Sequence, residues 1–297
     1  MIELPNMNWF YLMLGSSFLV SITSLLEKKA LIKEHAVEYS SVTSILTTLF
    51  SIPLLFFINY DRLPLNPFIF LFFISMMSAT AFVLIAKSIR HMEVSSVSPM
   101  LNMSIGITAL FSFLILKEHL SMFQIAGIIM LIIGSYILQT HKEESIFAPI
   151  KTFIRSKYLH FVLLAVLIYG IDSVYDRYAL LKYDIDPIAY LLGAHIFISI
   201  HLLALMAKYY DGLKGIRRGL KSIHWWAVAI SVITVIQRLM NVFAIQMANI
   251  GLVVAVKRSS SFFTVLLAGE LFHEKNILRK MFASAILIGG VILVAIK

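Results

Sequence analysis

The sequence predicts an all-α integral membrane protein of ten transmembrane helices, and three observations predict it. Of the 297 residues, 60% are hydrophobic and only 14% are charged. A soluble domain carries about a quarter charged residues, so the polar surface here is too small to clothe a water-soluble globule. Second, the apolar residues fall in long runs near the roughly 20 residues that a helix needs to cross a bilayer. Third, runs such as Ala126-Gly127-Ile128-Ile129-Met130-Leu131-Ile132-Ile133 show no alternation of polar and apolar positions. A membrane β-barrel requires that alternation, and an open strand cannot satisfy its backbone in lipid.

The predicted helices, in order, span 8–27, 37–59, 66–90, 94–116, 121–140, 158–181, 187–208, 224–248, 251–272 and 277–296. Residues 1–8 contain Glu3 but no Lys or Arg. A secretory signal needs a basic start and a small-residue cleavage site, so 9–26 reads as a retained helix. Pro53 and Pro99 are placed to bend helices 2 and 4. Trp9, Trp225 and Trp226 fall at predicted helix starts, where amphipathic rings favour the membrane interface. Two connections are longer than the rest, 141–157 and 209–223. The first divides the chain into a five-helix unit at 1–140, a basic linker at 141–157 and a second five-helix unit at 158–297.

The formal charge is +9, and its distribution explains it. Connections after the odd-numbered helices hold 17 Lys and Arg, among them Lys28, Lys29, Arg90, Lys157, Arg217, Arg218 and Lys280. The opposite side holds 4: Arg62, Lys117, Lys182 and Lys297. Positive connections stay on the cytoplasmic side, which places both termini outside and removes nucleic acid from the expected partners.

The two units resemble each other. At a shift of 156 residues Glu118 falls on Glu274, Ser104 on Ser260, Ile132 on Ile288, Gly134 on Gly290 and Gly127 on Ala283. An odd number of helices per unit makes the repeats inverted in the membrane, a design that puts a solute site near the midplane and gives alternating access. Two five-helix units, each closing on a Glu-marked short turn and a glycine-studded last helix, resemble the drug/metabolite transporter superfamily, specifically its EamA-type members. The resemblance covers nearly the whole chain and is strongest over 79–138 and 241–296. It implies a ten-helix inverted-repeat carrier of small solutes, in a family whose cargo ranges over amino acids, metabolites, amines and drugs. It also implies cytoplasmic termini, against the charge distribution.

Charges within a span cost about 2.5–3.5 kcal/mol each on insertion scales, so those that occur are informative. Helix 6 carries Asp172, Asp176 and Arg177, helix 8 carries Gln237, Arg238 and Asn241, and helix 9 carries Lys257 and Arg258 before Ser259-Ser260-Ser261. At about 1.5 Å per residue, Asp172, Arg238 and Lys257 all lie roughly 20 Å from the cytoplasmic side. Two carboxylates face four cations, with Asp172 or Asp176 expected to pair with Arg238. The surplus suits an anion, for which Arg offers a bidentate fork and Lys a point charge. The stretch Ala255 to Ser261 is similar to the Lys-Arg dipeptide in the ninth helix of triose-phosphate/phosphate translocators. The resemblance implies phosphate binding by Lys257 and Arg258; the translocators' further lysine has no equivalent here. Asn102 and Ser261 complete the expected substrate site with Arg238 and Asn241, while Asp172, Asp176 and Arg177 form an ion-pair or proton-coupling group. The same charges also read as a structural network locking helices 6, 8 and 9. His195 and His201 are weaker candidates for proton relay, and Glu118 and Glu274 read as capping or Lys-paired residues.

The absence of cysteine excludes disulfides and thiolate metal sites. No Ser-His-Asp set, His-Glu-x-x-His or phosphate-cradling glycine loop is present, so neither an enzyme nor an ATP-driven pump is expected, and neither is a cofactor or metal. The expectation is a secondary carrier in the cell membrane for a small, organic or phosphorylated anion. An exporter of amines, amino acids or drugs is the alternative, and a lipid-headgroup flippase the next. Protons and the bilayer are expected partners, and a homodimer is left open.

Overall fold

The structure is a computed structural model that describes residues 9–92, 97, 100–139, 157–260, 262–264, 267 and 277–295. Its helices are α1 (Trp9–Lys33), α2 (Ala36–Ser51), α3 (Leu65–His91), α4 (Met103–Phe111) and α5 (Met122–Gln139). The second half gives α6 (Lys157–Lys182), α7 (Pro187–Tyr209), α8 (Gly212–Met247), α9 (Ile250–Arg258) and α10 (Ile277–Ala295). No strand occurs among the described residues. Among the described residues, six helices are long and apolar enough to cross a membrane: α1, α2 with the 3-10 turn that extends it, α3, α6, α7 and α8. Shorter apolar stretches lie in α4 with its terminal π-turn, α5 and α10.

The surface has the polarity of a protein dissolved in lipid. Phe56, Leu65 and Met122 are more than 80% exposed, while Ser40, Ser41, Thr43, Ser44 and Thr47 of α2 are buried. Small hydroxyl residues let helices approach closely, and two of these bond to carbonyls of their own turn. Thr43 donates to the Tyr39 carbonyl at 2.8 Å and Ser44 to that of Ser41 at 3.0 Å.

Three elements differ from the sequence-based expectation. The first helix runs on to Lys33, so Glu27 is an interior residue of α1 rather than its end. Helix α2 stops at Ser51, and Ile52–Phe57 continue as a 3-10 turn with proline in its first turn. Pro53 has no N–H to give and crowds the preceding turn, which ends the α-helical ladder. The connection expected at 209–223 is instead mostly helical. Gly212 turns the chain at φ +53°, and α8 starts there and kinks at Ile223 before its membrane-crossing part. Gly215 and Gly219 allow this: a Cβ on Gly219 would lie 3.2 Å from Val42, and one on Gly215 3.3 Å from Glu38 Oε1. The bare face of that turn lies on α2.

Helix α1 packs on α8 and α3 on α6; α2 packs on α8 and α3 on α7; α1 meets α9 and α4 meets α6. Three further pairs are α2 with α7, α4 with α9 and α5 with α10. The last is a backbone contact. A Cβ on Gly127 would sit 2.7 Å from the Gly290 carbonyl oxygen, and one on Gly290 2.9 Å from that of Gly127.

The described basic residues that close α1 and α3 and open α8 gather at one end of the bundle. There Lys28 donates to the Ile89 and Met92 carbonyls at 2.6 Å each, and Arg90 donates to the Glu34 carbonyl at 2.9 Å. Arg218 pairs with Glu38 and with Asp211. Burial pushes the Glu34 carboxyl up, and neighbouring Glu38 adds to the effect. At the other end Asp186 caps α7 through the N–H groups of Ile188 and Ala189, and Arg62 pairs with Asp184.

Candidate functional site

A cavity of about 270 Å³ lies at the centre, walled by α1, α2, α3, α6, α7, α8 and α9 and by Leu101 just before α4. Helix α6 contributes Asp172 and Asp176, which are four residues apart and therefore share a face. Helix α8 contributes Gln237, Arg238 and Asn241, and the last turn of α9 contributes Lys257 and Arg258. A helix C-terminus carries partial negative charge that favours cations there. The three charge-bearing helices of the sequence reading thus meet on one space.

The expected pairing does not form. Ser78 donates to Asp172 Oδ2 at 2.8 Å, and Tyr190 donates to Asp176 Oδ1 at 2.7 Å. Both carboxylates lie within Coulomb reach of Arg238 and Lys257. Even so, none of these four residues makes an ion pair among the described residues. Neutral hydroxyls hold the carboxylates, and the cavity separates them from the cations. Arg258 is anchored differently: its Nε donates to Ser104 Oγ at 3.0 Å, and its guanidinium lies 6.0 Å from the Tyr169 ring centre.

Arg177 is outside this cavity. Its Nε donates to Glu118 Oε1 at 2.9 Å and its Nη1 to the Ile245 carbonyl. Glu118 in turn accepts from Ser112 Oγ at 2.6 Å and from the Ile250 N–H at 3.0 Å. Glu118 therefore caps α9, as expected of a helix-end acid, but its ion partner is Arg177 rather than a nearby Lys. Asn102 is buried at the N-cap of α4 and is not among the residues lining the cavity. Ser261, Pro99 and Glu274 lie outside the described residues. His201 meets the Phe72 carbonyl at 2.8 Å, away from the cavity. His195 does line the cavity, with Ser51 Oγ 2.7 Å from its Nδ1.

Sequence reasoning missed Glu27, which lines the cavity from α1, together with Tyr39 and Tyr169. The cavity census changes accordingly. Removing Arg177 and adding Glu27 leaves three carboxylates, Glu27, Asp172 and Asp176, against three cations, Arg238, Lys257 and Arg258. Four buried polar atoms on the same walls have no hydrogen-bond partner among the described residues: Tyr39 Oη, Ser75 Oγ, His195 Nε2 and Gln237 Oε1. Folded proteins pair nearly all such atoms, so this cavity is built to be completed by something polar. No cluster of His, Cys, Asp and Glu suited to a metal occurs among the described residues.

Residues 7–140 match the model of the EamA-like transporter family. No curated protein matches the chain. A solved structure, described only as the crystal structure of a protein, is similar with a TM-score of 0.71 at 12% identity. The match covers 95% of this chain and 94% of that one. At that identity the likeness concerns the fold, and it extends over both halves. Over residues 7–140, a little under half of its length, the chain is thus similar to the EamA-like transporter family, and its apolar helices are those of a multi-pass membrane protein.

Proposed function

We propose that the chain is a secondary carrier in the cell membrane that moves a small metabolite bearing an anionic group, by alternating access of two inverted five-helix repeats. The observation that carries the site assignment is that Arg238 and Lys257 face the cavity without an ion pair among the described residues. Unpaired cations in a low-dielectric wall are expensive, and an anionic guest relieves that cost. Arg238 and Lys257 take the anion, Asn241 and Gln237 offer it neutral hydrogen bonds, and Arg258 stiffens the wall through Ser104.

The helix packing supports the repeat. Exchanging each helix of the first five with its counterpart in the second turns α1–α8 into α6–α3, α2–α8 into α7–α3 and α1–α9 into α6–α4, all of which are observed contacts. The pairs α2–α7, α4–α9 and α5–α10 map onto themselves. The glycine seam agrees: Gly127 meets Gly290 and Gly134 meets Ala283. Since 134 + 156 = 290 and 127 + 156 = 283, each contact is the other's image, the signature of a two-fold interface.

A second reading is favoured by the equality of charge in the cavity. Three carboxylates against three cations also suit a solute carrying both signs, such as an amino acid, with its ammonium toward Asp172 and Asp176. Thermal-shift measurements on the purified protein with succinate, inorganic phosphate, ethanolamine and glycine separate the two, because a ligand stabilises the state it binds. The anion reading expects shifts with succinate or phosphate that are lost in Lys257→Ala and Arg238→Ala. A shift with ethanolamine or glycine alone, lost in Asp172→Asn, would transfer the assignment to the second reading.

A further inference from the structure

Glu27 lines the cavity but was given no role in holding the anion. It lies six residues before Lys33 on α1, about 9 Å from the basic end of the bundle at 1.5 Å per residue. Asp172 lies 15 residues into α6 from Lys157, about 22 Å from that end on the same scale. Glu27 therefore stands between the level of the substrate site and the basic face.

Its surroundings set it apart from the other two carboxylates. From α2 it faces Tyr39, whose fully buried hydroxyl lies beside the carboxylate. From α6 it faces Tyr169 and, deeper in the cavity, Asp172. Across the cavity stand Arg238 on α8 and Arg258 on α9, both near Tyr169. Helix α3 places no ionisable side chain on the cavity wall among the described residues. The adjacent Lys28 is engaged by the Ile89 and Met92 carbonyls. None of the three carboxylates has an ion pair among the described residues, but Asp172 and Asp176 are drawn by Arg238 and Lys257, whereas the group set against Glu27 is the neutral Tyr39 hydroxyl.

We infer that Glu27 is the proton-binding site of the transport cycle, and that a proton on it is what makes the cavity accept an anion. The inference rests on the anion-carrier reading above. With Glu27 ionised, the cavity carries three charges of each sign. One proton on its carboxylate leaves two negative against three positive, the surplus that an anion needs. Tyr39 serves either state, since its hydroxyl donates to a carboxylate or accepts from a carboxylic acid. Linkage is reciprocal: if the proton strengthens anion binding, the bound anion strengthens proton binding by the same factor, ordinarily about 5–150-fold. Proton and anion then enter and leave together, and the cycle is a symport. No covalent bond to the substrate is made or broken.

The test uses full-length protein in detergent and in proteoliposomes, with succinate and inorganic phosphate as probes. Wild type is expected to bind the anion more tightly as pH falls, and to take up protons from weakly buffered solution when it binds. Glu27→Gln, a neutral isostere of the protonated state, should bind the anion tightly at alkaline pH, with no pH dependence and no proton uptake. In liposomes it should exchange anion across the membrane but fail to accumulate it under a pH gradient. Glu27→Asp keeps a titratable carboxyl and should retain proton uptake, which guards against a folding defect in the glutamine variant. Anion binding by wild type without proton uptake, or undiminished uptake in Glu27→Gln, would overturn the inference and leave the carrier reading standing. Failure of wild type to bind either anion at any pH would overturn the carrier reading, and this inference with it.

Discussion

Arg177 and Arg238 stand on neighbouring helices, α6 and α8, and face opposite situations. Arg177 is held by Glu118 and by the Ile245 carbonyl, and Glu118 is itself held by Ser112 and the α9 N-terminus. Both side chains are only 10% exposed. Every charge at that junction has a partner from the protein, and the junction ties the turn after α4 to the start of α9. Arg238 opens onto the cavity with no ion pair among the described residues, near two carboxylates that hydroxyls have already engaged. The comparison teaches how to divide intramembrane charge. A satisfied pair is spent on the fold, and an unsatisfied charge on a cavity wall is reserved for a guest.

Breaking the satisfied side should cost most. Glu118→Ala leaves Arg177 buried without its counter-charge and strips the cap from α9. Loss of one partner of a buried pair costs about 3–5 kcal/mol, read as a large fall in the thermal midpoint in detergent. Replacing both residues with methionine should recover part of that loss, and a double-mutant cycle measures how much. If Glu118→Ala unfolds at the wild-type temperature, the junction is not the structural half of the comparison.

A smaller effect is expected at the glycine seam, which has no charge at all. Gly127→Ala would put a Cβ 2.7 Å from the Gly290 carbonyl oxygen, and backbone cannot swing aside as a side chain does. Overpacking of this kind costs about 1–3 kcal/mol. Since α5 and α10 do not wall the cavity, anion binding by the folded fraction should match wild type. A selective loss of binding at unchanged stability would show that the seam works in the transport cycle rather than as a fixed hinge line.

The fold was largely legible in the sequence because lipid makes helix the only cheap state for an apolar run. What escaped was set by contacts remote in sequence. Arg177 and Arg238 look alike in isolation, and only the placement of Glu118, 59 residues from Arg177, tells them apart. Glu27 was hidden because Lys28 and Lys29 mark a helix end by charge, whereas Lys28 stays helical by reaching the carbonyls that close α3. The start of α8 looked like a loop because it is basic and rich in glycine. Gly215 and Gly219 are a packing face, visible only once α2 is laid against it. The candidate site was legible where it depended on depth along a helix, as for Asp172, Arg238 and Lys257. It was illegible where it depended on which face a residue takes, as for Asn102.

The smallest expected effect on stability is the sharpest test of the comparison. Arg238→Met removes a charge that no ion pair satisfies among the described residues and keeps most of the side-chain volume. Replacing buried charge with apolar volume is often neutral or stabilising, so the thermal midpoint should stay within the equivalent of about 1 kcal/mol of wild type or rise. Binding of succinate or phosphate should disappear in the same preparation. The carboxylates at Asp172 and Asp176 keep their hydroxyl donors, so the wall does not collapse when the arginine goes. A loss of stability as large as that of Glu118→Ala would mean that Arg238 is as structural as Arg177 and that the cavity's charges form one locked network. Unchanged stability with lost binding would assign the two arginines to different tasks: Arg177 holds the frame and Arg238 holds the guest.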